Sequence, residues 1–133
     1  MTDYVFDTEP LVALRYDEDG AERVEEILGD VYDGDLTASM SAVTATEVRY
    51  VIGRAEGDIH AGVRTIRNHV DGGVEIVPVR THGLKAARVK MGGRISLGDS
   101  FSAALAYEED AKLVVGKDDE FDSLPVDVTL ERV

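Results

Sequence analysis

The sequence predicts an α/β fold: three layers, α/β/α, around a central, mostly parallel sheet of four to five strands. Two observations carry this. Short apolar runs alternate along the chain with segments of helical spacing, the pattern of successive βα units. The runs are mostly continuous rather than alternating apolar and polar, as expected of strands covered on both faces. A third observation sets the scale. With 133 residues, 44% of them hydrophobic, the chain can fill one domain, residues 1–133, with a real core.

The elements follow in order. YVF at 4–6 is the first strand. PLVALRY at 10–16 and AERVEEIL at 21–28 have helical spacing. LTASM at 36–40 is the second strand, followed by helices over 44–57 and 59–70, the latter closed by Gly72 and Gly73. VEIVPV at 74–79 is the third strand. A helix over 81–91 stops at Gly92-Gly93, and another runs from Ser100 to Glu109. KLVVG at 112–116 is the fourth strand, Asp118 to Leu124 form a helical turn, and VDVTLERV at 126–133 is the fifth strand. No repeat, linker or low-complexity tract interrupts this series.

Composition excludes several classes. No run of 18 apolar residues offers a membrane span, and MTDYVFDTEP lacks the basic and apolar regions of a signal peptide. A cytoplasmic protein is expected. Zero Cys excludes disulfides and thiolate metal sites. The net charge of −13 argues against a generic nucleic-acid binder. Asp outnumbers Glu, 15 to 12, and Arg outnumbers Lys, 10 to 4. This acidic, Lys-poor balance suggests a halophilic source, where salt screens self-repulsion. The charge is uneven: residues 1–62 carry a net −11, residues 63–94 a net +5, and residues 95–133 a net −7. The basic island is either a solvated helical face or a strip for phosphates or an acidic partner.

In open parallel sheets the site lies beyond the carboxyl ends of the strands. Asp7 directly follows the first strand, Glu47 opens the helix after the second, Asp99 opens the helix before the fourth, and Asp118 follows the fourth. Each has a structural reading. Asp7 and Asp99 are placed to cap helices, Thr44-x-x-Glu47 reads as a capping box, and Asp118 can start an Asx turn. Together, four carboxylates on one rim without matching Lys or Arg would raise one another's pKa unless a cation neutralised them. Oxygen-only donors suit Mg²⁺ or Mn²⁺. His60, His69 and His82 lack ligand spacing and read as surface residues.

Three stretches, YVFDTEPLVAL, SAVTATEVRYVIGR and ISLGDSFSAALAYEEDAKLVVGKDDEF, resemble the PIN-domain ribonucleases, specifically VapC-type toxins, from about residue 3 to 130. The first looks like the family's strand ending in Asp-Thr/Ala. The second resembles its Ser-x-x-Thr-x-x-Glu helix start. The third resembles its Asp-x-x-x-Ala-Ala helix, apolar strand and Asp-x-x-Phe. The resemblance implies a PIN-like fold in a toxin of a type II toxin–antitoxin pair, one from a halophilic archaeon given the charge balance. It implies an acidic quartet of Asp7, Glu47, Asp99 and Asp118 that holds Mg²⁺ or Mn²⁺. Asp7 and Asp99 would be direct ligands, with Glu47 and Asp118 completing the set or holding ligating waters.

The implied activity is endoribonucleolytic cleavage of a tRNA or ribosomal RNA, and the implied partners are a small antitoxin and a second copy in a homodimer. Arg94 could offset repulsion of RNA. Two departures stand out: Glu9, where the family often has a small polar residue, and Gly116, where Thr or Ser usually stands two residues before the last Asp. The loss of that hydroxyl bears on the role of Asp118 and leaves open a second reading, a non-catalytic or RNA-processing PIN module. A haloacid-dehalogenase-type phosphatase is a further alternative, but its second Asp is Glu9 here and its Gly-Thr is absent.

Overall fold

The structure, a computed structural model, describes residues 1–133. Five strands form one sheet: β1 (Tyr4–Phe6), β2 (Ala38–Ser41), β3 (Glu75–Val77), β4 (Lys112–Val115) and β5 (Leu130–Arg132). The order is β3-β2-β1-β4-β5, and every neighbouring pair is parallel. Six helices connect them: α1 (Thr8–Arg15), α2 (Ala21–Tyr32), α3 (Ala42–Glu56), α4 (Ile59–Asp71), α5 (Gly83–Gly92) and α6 (Leu97–Glu109).

The sheet separates two cores. On one face Phe6, Met40 and Val114 meet Leu11, Ile27, Leu28, Ile52 and Ile66 from α1 to α4. On the other, Val5, Leu113 and Val115 meet Ala86, Val89, Ala103 and Leu105 from α5 and α6. Successive strand residues thus point to opposite cores, and Val5 and Phe6 are both fully buried. This is why the central strands read as continuous apolar runs.

Several boundaries differ from the sequence reading. Strand β3 stops at Val77 because Pro78 has no N–H to donate, and Val79–Thr81 coil into a 3₁₀ turn. Strand β5 is only Leu130–Arg132, an edge strand; residues 126–129 after Pro125 are outside the ladder apart from the Thr129 carbonyl, which accepts from Leu113 N–H. The turn after β4 is 3₁₀, Asp119–Ser123. Helix α3 starts at Ala42, capped by Ser41, whose Oγ accepts from Val43 N–H at 3.1 Å. Helix α6 starts at Leu97 rather than Ser100, capped by Ser96, whose Oγ accepts from Asp99 N–H at 3.2 Å. Ser96 therefore takes the cap role assigned to Asp99, and Ser41 that assigned to Thr44.

The histidines also need correction. His60 is exposed, but His69 and His82 are buried. Both His82 nitrogens have partners, Ser41 Oγ at 2.8 Å and Thr81 Oγ1 at 2.9 Å, and its ring stands edge-on to Phe101. His69 Nδ1 is 2.8 Å from the Tyr32 hydroxyl. Burial depresses the pKa of both, so they serve as neutral core residues.

Candidate metal centre

The four predicted carboxylates stand at the carboxyl ends of β1 and β4, the first turn of α6 and the second turn of α3; Asp99 and Asp118 come within reach of one ion together with Glu120, whereas Asp7 and Glu47 lie beside that group and outside it. Asp7 ends β1, with its N–H donated to the Val114 carbonyl at 3.0 Å. It stands at the N-cap position of α1, yet its side chain makes no cap hydrogen bond. The carboxylate instead turns into the protein, where Ser102 of α6 donates to Oδ1 at 2.9 Å. Ser102 is itself 3.1 Å from Thr44 Oγ1 of α3. Only 3% of Asp7 is exposed. Desolvation raises its pKa to about 6, Ser102 and the Thr8 amide opposing, with Glu47 and Glu9 adding repulsion.

Glu47 is not part of a capping box. Helix α3 begins five residues earlier, and Thr44 is buried against Ser102. The Glu47 carboxylate accepts from Thr8 Oγ1 at 3.3 Å, next to Asp7. It also lies over the first turn of α6: a Cβ at residue 98 would stand 2.6 Å from Oε1, so Gly98 makes room for it. Burial raises its pKa.

Asp99 is three residues inside α6's cap and half-buried. Its pKa is pushed up to about 8, by burial first, then by a hydrogen bond shared with Glu120 and the charges of Asp7 and Glu120. Asp118 follows β4 and starts the 3₁₀ turn, its Oδ1 accepting from Glu120 N–H at 2.9 Å; the Asx-turn reading is correct. Oxygens of Asp99, Asp118 and Glu120 lie within 4.8 Å of one another. Glu120 is the residue that sequence reasoning missed. Its signal was present, two residues after a strand-end Asp in a run of acids, but only the turn geometry aims it back at α6.

None of Asp7, Glu47, Asp99, Asp118 or Glu120 belongs to an ion pair; the nearby cations Lys117 and Arg132 pair with Asp19 and Asp122. Beside the rim, a cleft of about 770 Å³ is lined by Arg94, Asp119 and Glu120 among others. An all-oxygen donor set, crowded, partly desolvated and without basic partners, fits a hard divalent cation. Asp99, Asp118 and Glu120 are close enough to share it, and Asp7 and Glu47 lie beside them.

Comparison with known proteins agrees with the fold. The PIN domain family model matches residues 4–126. No curated protein matches the sequence at a significant level. Similar solved structures include VapBC2 from Rickettsia felis bound to a promoter DNA fragment, at 19% identity, TM-score 0.75 and 99% coverage of both chains. DNA-bound VapBC from Salmonella typhimurium is 14% identical, with TM-score 0.73, covering 99% of this chain and 98% of that one. A toxin–antitoxin complex from Klebsiella pneumoniae is 18% identical, with TM-score 0.68, covering 92% and 93%.

Proposed function

Because the chain belongs to the PIN domain family, we propose that it is a Mg²⁺- or Mn²⁺-dependent endoribonuclease acting as the toxin of a type II toxin–antitoxin pair. What supports the reading is the unneutralised acidic set: Asp99, Asp118 and Glu120 close enough to share one ion, with a buried Asp7 fixed by Ser102 and Glu47 beside them and no basic partner. A divalent cation held there would supply a water of lowered pKa and charge to offset that of the scissile phosphate.

The chain's own residues do the rest. Asp7 and Asp99 give up protons to hold the cation. Ser102 keeps Asp7 in one rotamer, and Thr8 orients Glu47. Glu47, Asp118 and Glu120 would complete the donor set or orient water, and Arg94, which lines the adjacent cleft, would draw the RNA backbone over an otherwise repulsive surface. Arg80 and Arg88 of the basic island are also exposed and have no ion-pair partner. The substrate is a tRNA or ribosomal RNA, and the setting is the cytoplasm of a halophile. The single domain works as a homodimer, held inert by a small antitoxin; the toxin–antitoxin neighbours support the antitoxin part of this reading.

A second reading, a non-catalytic or RNA-processing PIN module, draws on Gly116 and its missing hydroxyl. One experiment separates them. The purified chain is incubated with a panel of tRNAs and ribosomal RNA, with Mg²⁺ or Mn²⁺ and with chelator. Cleavage that chelator, Asp99→Asn and Glu47→Gln each abolish is the expected result. RNA bound but uncut by the parent selects the second reading.

A further inference from the structure

The two departures from the family pattern touch each other. A Cβ at residue 116 would lie 2.3 Å from Glu9 Cδ and 2.5 and 2.6 Å from its carboxylate oxygens. The backbone does not demand glycine here, since Gly116 is not among the glycines of positive φ. What fills the space of a side chain at 116 is the Glu9 carboxylate, reaching from the first turn of α1 to the end of β4. A large acid at 9 and no side chain at 116 are thus reciprocal.

Glu9 is not engaged elsewhere. Its carboxylate has no ion-pair partner, and the adjacent Lys117 pairs with Asp19 at 3.0 Å. It stands two residues along the chain from Asp7, and Gly116, which its carboxylate covers, stands two before Asp118. A cation on the rim would neutralise such a placement of like charges. We propose that Glu9 is a member of the metal-holding rim, admitted by Gly116, and that it supplies the oxygen which a Thr or Ser at 116 would otherwise offer. This rests on the metal-dependent reading above.

Isothermal titration with Mn²⁺ alone tests it. Glu9→Gln keeps the shape and removes the charge, and should weaken Mn²⁺ binding about tenfold, in the range found for groups supporting a metal site. Its metal-free melting temperature should not fall. Gly116→Ala puts a Cβ where the carboxylate sits. Glu9 is exposed and can swing into solvent, so this variant should fold and show a similar loss. The double variant should bind no more weakly than either single one, because both remove the same group. Asp7→Asn is the reference. If Asp7→Asn weakens binding and Glu9→Gln does not, the role of Glu9 is overturned and the metal reading survives. If neither alters binding, the metal reading falls as well. Additive losses for the two departures would show that Gly116 acts independently of Glu9, overturning the reciprocity.

Discussion

Asp7 concentrates the chemistry of the rim in one side chain. It is nearly inaccessible, holds a single side-chain hydrogen bond from Ser102, and has a pKa raised from 3.8 to about 6. A carboxyl group whose pKa is higher folded than unfolded stabilises the fold fully below the unfolded value. That stability is lost as pH rises through the folded value. The metal-free protein should therefore lose stability between about pH 4 and pH 8, Asp7 contributing up to about 6 and Asp99 up to about 8. Asp7→Asn should flatten the lower part of that curve and be about 3 kcal/mol more stable than the parent at neutral pH. Denaturant melts at a series of pH values measure this. A variant less stable than the parent at pH 7.5 would mean that the carboxylate is stabilised by something other than a proton or a cation. The position of Asp7 was legible from an apolar strand ending in Asp. Its Ser102 partner was not, because the two are 95 residues apart and meet only through the packing of α6 on β1.

Among elements, the turn after β4 decides how well the rim is formed. It is held from the neighbouring edge strand: Arg132 of β5 donates to the carbonyls of Gly116 at 3.1 Å and Asp118 at 2.9 Å, and pairs with Asp122. Arg132→Gln should leave the sheet intact and loosen the turn, weakening Mn²⁺ binding about tenfold while the far-ultraviolet spectrum stays unchanged. Unaltered affinity would show that the turn holds its shape without the clasp. The element order, the parallel sheet and the strand-end acids were legible because each depends on local pattern. The helix starts were not. Ser41 and Ser96 compete as caps with Thr44 and Asp99, each only three residues away, and local preference alone does not choose among Ser, Thr and Asp. Moving those starts by three residues turns Asp99 and Glu47 from caps into rim residues. Glu120 was missed for a related reason: its direction depends on a 3₁₀ turn and on the Asx bond from its own N–H to Asp118.

The whole molecule carries a net charge of −13, and most of its ion pairs are on the surface, where they contribute little. Self-repulsion should make stability rise with salt, most steeply until the screening length falls to about 3 Å near molar ionic strength. Thermal melts in potassium chloride from 0.1 to about 2 M check this, and a melting temperature independent of salt would remove the case for a halophilic source. Tyr50, Val51 and Ile59 lie exposed on α3 and α4, and in a homodimer or antitoxin complex they are the expected contacts. Light scattering in high salt should return the mass of two chains. A monomer at micromolar concentration would weaken the toxin reading relative to a solitary processing enzyme.

Raised carboxyl pKa values at the rim also leave a calorimetric signature. Near neutrality Asp99, and in part Asp7, carries a proton that an arriving cation must displace. The heat of Mn²⁺ binding at pH 7 should then include the heat of the buffer taking up that proton. Titrations in buffers of differing ionisation enthalpy should give different apparent enthalpies, and the slope between them counts the protons released. The slope should shrink as the pH is raised past about 8, where both groups are already ionised. Mn²⁺ affinity should climb over the same range, so the site would act as a cation receptor that is also a proton donor.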